Sequence, residues 1–179
     1  MKHISSRSAF TLVELLVVIA IIGILAGMGF AGYNRALNTA RRAVAKNDVT
    51  QIANAVLLFE TEYGKLPPGG TTEPDDVGSD LMRVLTATEE SGESDTIFNP
   101  RRIVFLEVNP SATKRSGTNE DGKFIDPWGN AYQIVMDTEY EHRVNVPSNR
   151  SGDTMELRRR VAVWSQTNED NNTIVTSWE

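Results

Sequence analysis

From Leu15 to Gly32 every residue is apolar or glycine. At the rise of an α-helix that run is about 27 Å long, close to the hydrocarbon thickness of a bilayer. With Phe10-Thr11-Leu12-Val13 in front of it, the pattern predicts a membrane-spanning helix over 10–32, interrupted by one charged residue, Glu14. The helical signal does not end there. Tyr33 to Tyr63 contains neither proline nor glycine. Val49, Ile52, Val56, Phe59 and Tyr63 recur at steps of three and four, which places them on one helix face. Ala36, Ala40 and Ala43 extend a narrow small-residue face upstream, while Arg41, Arg42, Lys46, Asp48 and Gln51 fall largely elsewhere. Gly64, Pro67 and Pro68 stop the helix. The second half, 33–64, is therefore expected to be amphipathic and to pack its apolar face as ordinary core. A helix from Phe10 to Tyr63 would be about 80 Å long.

Beyond residue 65 the period changes. Residues 69–78 are rich in Gly, Thr, Asp and Pro and read as a loop. Ser79–Thr86 reads as a short helix capped by Ser79 or Asp80. Thr88–Pro100 and Asn109–Gly122 read as loops around Ile103–Val108, a strand or buried segment. Strand signals then gather at 123–125, 131–136 and 160–164, with a fourth at 173–176. Asp126-Pro127-Trp128-Gly129-Asn130 is a turn between the first two. The expected class is α+β: a long N-terminal helix packed on a small antiparallel sheet, with 65–179 as the globular part.

Composition narrows the function. The net charge is −6, so there is no basic excess for nucleic acid. The chain has no cysteine and two histidines, His3 and His142, which leaves little for thiolate, zinc or histidine-based catalysis. The acidic residues show no catalytic spacing, and the chain is not expected to be an enzyme. A carboxylate inside an apolar span is costly and usually functional, which singles out Glu14. Gly23, Gly27, Gly29 and Gly32 weaken a helix by about 1 kcal/mol each relative to alanine. They suit either close helix packing, as at Gly23 and Gly27, or a locally softened helix. Arg35, Arg41, Arg42 and Lys46 follow the span while Lys2 and Arg7 precede it, and a bare count of positive charges favours an N-terminus outside the cytoplasm.

The string Ala9-Phe10-Thr11-Leu12-Val13-Glu14-Leu15-Leu16-Val17-Val18-Ile19-Ala20-Ile21-Ile22-Gly23-Ile24-Leu25-Ala26 resembles the leader junction of type IV pilins and type II secretion pseudopilins. The resemblance implies a cytoplasmic leader, 1–9, cut by prepilin peptidase between Ala9 and Phe10, with methylation of the new amino group. It implies that the Glu14 carboxylate meets the N-terminal amine of a neighbouring subunit. Ala9 stands where the family usually has glycine; being small, it is expected to be cut at a normal or reduced rate. The turn from Asp126 to Tyr132 looks like that of the major pseudopilins. In that group a loop after the corresponding Trp164-Ser165 binds calcium, which here would fall on Asp170, Glu169, Asn172 and Ser165. The implied protein is a single-pass inner-membrane subunit with a periplasmic domain. It assembles with itself, other pseudopilins and the secretion platform into a pseudopilus that supports protein secretion. A minor pseudopilin or a pilus subunit is the alternative within the class. A membrane-anchored enzyme or binding domain, with Trp128, Trp164 and Trp178 as a candidate aromatic groove, is the alternative outside it.

Overall fold

The chain is described here by a computed structural model covering residues 10–89, 97–108, 117–148, 153–166 and 174–178, with backbone alone at 28–32 and 166. One helix, α1 (Leu12–Tyr63), takes up 52 residues. It passes through Gly23 and Gly27 unbroken, and a Cβ at either would meet nothing within 4 Å. The helix is therefore not unwound at these two glycines, and nothing else in the described chain packs on them. Gly64, at φ 69°, ends α1 in the left-handed conformation that glycine adopts without steric cost, and its N–H closes on the Glu60 carbonyl.

The chain divides into two compact units, residues 1–40 and 41–179. In the first, the apolar side chains of α1 lie bare: Phe10 is 73% exposed and Leu12 79%, and Val13, Leu15, Ile19 and Leu25 are more than half exposed. Among the described residues no helix is long and apolar enough to cross a membrane. The expected span over 10–32 includes 28–32, whose side chains lie outside the described residues.

In the second unit the expected helix stripe forms the core. Val49, Ile52, Val56 and Phe59 have no exposed surface, and burial begins at Ala45. Ala36, Ala40 and Ala43 are exposed, so the small-residue face upstream is not part of this core. Each such buried side chain contributes about 2 kcal/mol. The stripe faces a four-stranded antiparallel sheet. Its strands are β1 (Asp75–Asp76), β4 (Gln133–Met136), β7 (Val161–Gln166) and β8 (Ile174–Thr176), in the order β1-β4-β7-β8. Strand alternation assigns the two faces. Ile134, Met136, Val161, Val163 and Val175 join the cluster built on α1. Val135, Ala162 and Trp164 point the other way.

That second face is covered by a hairpin, β5 (Val144–Pro147) and β6 (Thr154–Leu157), which supplies Val144 and Val146 with Met155 and Leu157 beside them. The sequence pattern did not announce this hairpin. Its strands carry only two apolar side chains each among Asn, Pro, Thr and Glu, too short an alternation to stand out. The remaining pair, β2 (Gly117–Thr118) and β3 (Phe124–Ile125), is separate and antiparallel. β1 and β2 lie in stretches read as loops; each is two residues long and is defined by its partner strand.

Two local expectations are corrected. Between β1 and β2 the short helix α2 (Ser79–Leu85) is capped by Gly78, with no side-chain cap bond, rather than by Ser79 or Asp80. The helix starts one residue earlier than the cap reading required, which leaves Asp80 in its first turn, where a carboxylate favours the helix dipole. Ile103–Val108 is buried in part but forms no strand. The N–H groups of Phe105 and Leu106 both reach the Leu85 carbonyl at the end of α2, at 2.9 and 3.0 Å. Phe105 packs edge-on to Phe59, with ring centres 5.4 Å apart. Asn99, buried, holds this segment. Its Nδ2 donates to the carbonyls of Val84 and Ile103, and its Oδ1 accepts from the Tyr63 hydroxyl and the Ile103 N–H. Every bond the amide side chain can make to the protein is used.

The β1 edge is tied by Asp76, which accepts from Lys123 Nζ at 2.6 Å and from Gln133 Nε2 at 2.5 Å. The Lys123 hydrogen bond holds the Asp76 carboxyl below its ordinary pKa. A depressed carboxylate pKa adds stability above the unfolded value, near about 4, and that stability is lost as pH falls through the folded value. Replacing Asp76 by Asn is therefore expected to lower the melting temperature at pH 7, with the gap to the unaltered chain closing below about pH 4. A gap that stays constant down to pH 2.5 would show that the carboxylate charge has no part in the tie.

Candidate functional site

Thr11 is the residue before α1, and Glu14 is the third residue within it. The two make a reciprocal cap. Thr11 N–H and Thr11 Oγ1 donate to Glu14 Oε2 at 2.9 and 2.8 Å, and Glu14 N–H donates to Thr11 Oγ1 at 3.3 Å. This is the capping-box arrangement: two otherwise unpaired N–H groups at the helix start are satisfied by each other's side chains. It fixes the Glu14 carboxylate in the first turn, where negative charge is favoured by the helix dipole. Among the described residues only Oε2 is engaged, and Glu14 Oε1 is open to a cation from elsewhere. The carboxylate stands among exposed Phe10, Leu12, Val13 and Leu15. An apolar surface with one oriented anion binds a matching surface with one cation, because burying the anion without a partner is costly. Ala9, the other half of the expected cleavage site, lies outside the described residues.

The C-terminal candidates separate. Glu169, Asp170 and Asn172 lie outside the described residues. Ser165 is fully buried, and its Oγ donates to Asp126 Oδ2 at 2.5 Å. Its hydroxyl serves the fold, a position that does not fit a ligand on an open loop. Asp126, also fully buried, takes the N–H groups of Trp128 and Asn130 on its other oxygen, both at 2.9 Å. The turn read from Pro and Gly is thus held by its first residue and anchored to β7. Among the described residues no group of three metal-binding side chains occurs.

Further polar bonds join α1 to the sheet, and sequence reasoning missed them. Tyr132 donates to Asp48 Oδ2 at 2.8 Å, and Lys46 Nζ donates to the Thr176 carbonyl at 2.7 Å. Burial, together with the Asp48 charge, pushes the Tyr132 phenol far above its ordinary pKa, so it stays a donor. No sequence signal marked them, since Lys46 and Asp48 fall largely off the apolar stripe. The aromatic groove considered above is not present. Trp164 is buried, edge-on to Trp178 with ring centres 6.1 Å apart, and Trp128 packs against the main core.

Comparison with known proteins agrees with the N-terminal geometry. Residues 4–30 match the family described as the prokaryotic N-terminal methylation motif. The chain is also 26% identical over 139 residues to the type II secretion system core protein G of Aeromonas hydrophila, covering 75% of this chain and 76% of that one. The chain is thus similar to a core protein of type II secretion and carries an N-terminal methylation motif. No solved structure matches it. The second match reaches well past the motif, so the pseudopilin likeness includes the folded domain as well as the helix that carries Glu14. In this chain the Asp126–Ser165 bond is a fold determinant with a measurable cost. Ser165→Ala leaves a fully buried carboxylate oxygen without its donor, and unfolding of the full-length chain is expected to show a loss of about 2 kcal/mol. A loss below about 0.5 kcal/mol would mean that Asp126 finds another donor.

Proposed function

We propose that this protein is a structural subunit of a type II secretion pseudopilus. The observation that carries the reading is the first half of α1: a continuous helix whose apolar side chains are bare and whose one carboxylate is oriented by its own cap. Such a surface is completed only by lipid or by other copies of itself. In this reading prepilin peptidase cuts between Ala9 and Phe10, and the amino group of Phe10 is methylated. The protein waits in the inner membrane with its C-terminal domain in the periplasm. It then polymerises, with other pseudopilins and the secretion platform as partners. Glu14 Oε1 meets the N-terminal amine of a neighbour, an attraction that strengthens as water is excluded. The cytoplasmic placement of the leader follows the motif and runs against the count of flanking positive charges. The role is structural rather than catalytic.

The test is the intact mass of the protein from its own cells, paired with a filament assay. A chain beginning at Phe10 and carrying one methyl group is expected. Glu14→Ala is expected to leave processing intact and to cut filament yield by about a hundredfold or more, the scale set by removing one partner of a buried ion pair. A full-length mass, or a chain beginning near Met28, would overturn the reading.

Calcium is a separate proposal, supported by the oxygen-rich composition of Glu169, Asp170 and Asn172, without Ser165 as a ligand. Millimolar calcium is expected to raise the melting temperature of the full-length chain, and a chelator to reverse it. An unchanged melting temperature, with Asp170→Ala behaving like the unaltered chain, would remove calcium from the account.

A further inference from the structure

Beside α1, within the second unit, lies a groove of about 190 Å³. Leu106, Val108 and Phe124 make its apolar lining, and Asp48, Gln51 and Glu107 supply its polar groups. This lining suits a long aliphatic stem ending in a cation. The stem covers the apolar surface, and the charged head stays with the carboxylates. A hydrated metal ion is a poorer match, since it needs six or more oxygens around it and gains nothing from the apolar wall. Asp48 also already accepts the Tyr132 hydroxyl. Glu107 is exposed and makes no ion pair among the described residues.

The same surface carries a matching cation. Arg42, on α1, is exposed and makes no ion pair among the described residues. It cannot serve its own groove. At about 100° per residue, Arg42 and Asp48, six positions apart, point about 120° away from each other around the helix. A cation on one side and an acidic groove on another form a head-to-tail contact. Each copy gives its arginine to one neighbour and its groove to a second, so the contact does not close into a two-fold dimer; its repetition gives a ring or an open assembly, and the filament reading requires the second.

We infer that the groove between α1 and residues 106–108 receives Arg42 of a second copy of this chain. The inference rests on the filament reading above and gives it a contact between folded domains, separate from the packing of the N-terminal helices. The contact favours the register in which the arginine meets the acidic groove, since other registers leave the two charges apart.

The chain has no cysteine, so introduced thiols report on this contact alone. Glu107→Cys and Arg42→Cys are combined in the full-length protein, in its own cells, under mild oxidation. The double variant is expected to give a ladder of disulfide-linked multimers, whereas each single variant gives monomers or dimers only. In parallel, Glu107→Arg is expected to lower the yield of sheared filaments about tenfold, Glu107→Gln less, and adding Arg42→Glu to Glu107→Arg to restore it. Glu107 is exposed, and a circular dichroism spectrum checks that each variant is folded. If the unaltered chain polymerises, the inference is overturned by the absence of a ladder from the double variant. It is equally overturned by an undisturbed filament yield in Glu107→Arg. If the unaltered chain forms no filaments, the functional reading falls, and this contact falls with it.

Discussion

The structure depends on one helix serving two surroundings. α1 runs unbroken from Leu12 to Tyr63, yet the two parts of it obey different burial rules. From Ala45 onward a single stripe is buried against the sheet and the opposite side is polar or mixed. From Leu12 to Leu25 apolar residues occur all round, and they are exposed. A helix that is apolar on every side has no stable place in water alone. The domain can therefore be satisfied by its own sheet, while the N-terminal part requires lipid or other copies. The proposed assembly answers that unmet requirement, with Glu14 as the one charged group on an otherwise apolar surface.

Within the domain, the sheet is stabilised from both sides. α1 covers one face and the β5–β6 hairpin covers the other, which explains why three of the four β4 residues are buried. A sheet of four short strands with one wet face would have a thin core; the hairpin adds a second, smaller cluster on the other face. The polar bonds between α1 and the sheet, Tyr132 to Asp48 and Lys46 to the Thr176 carbonyl, add direction to this packing. Hydrophobic contact alone would tolerate a shifted helix. A buried phenol and a single carboxylate would each lose their partner if it moved, at a cost of a few kcal/mol.

The relation between the pseudopilin likeness and the physical details is uneven. The N-terminal motif accounts for the cap, the bare apolar surface and the placement of Glu14. It says nothing of the Asp126–Ser165 bond, the Asn99 hub or the acidic groove beside α1, which are properties of how this chain folds. Charge placed on different sides of one helix, as with Arg42 and Asp48, becomes meaningful only when the subunit is considered as one of many.

By itself the sequence determined the elements whose signal is local and periodic. The long helix and its stop at Gly64, the Val49–Phe59 stripe, α2 and the strands at β3, β4, β7 and β8 were all legible. The helix stripe repeats apolar residues at intervals of three to four, and these strands are short apolar runs bounded by polar or turn residues. Glu14 also stood out, because a charge in an apolar run is costly. The tertiary structure alone decided the rest. β1, β2 and the β5–β6 hairpin are too short or too polar to declare themselves, and exist because a partner strand supplies their hydrogen bonds. Ile103–Val108, readable as a strand or a buried segment, is a partly buried segment because Phe105 and Leu106 donate to the end of α2. Ser165 looked like a loop ligand but was claimed by Asp126, thirty-nine positions away. In each case the deciding partner is distant in sequence, and a residue's own neighbours carry no record of which distant group folding will bring beside it.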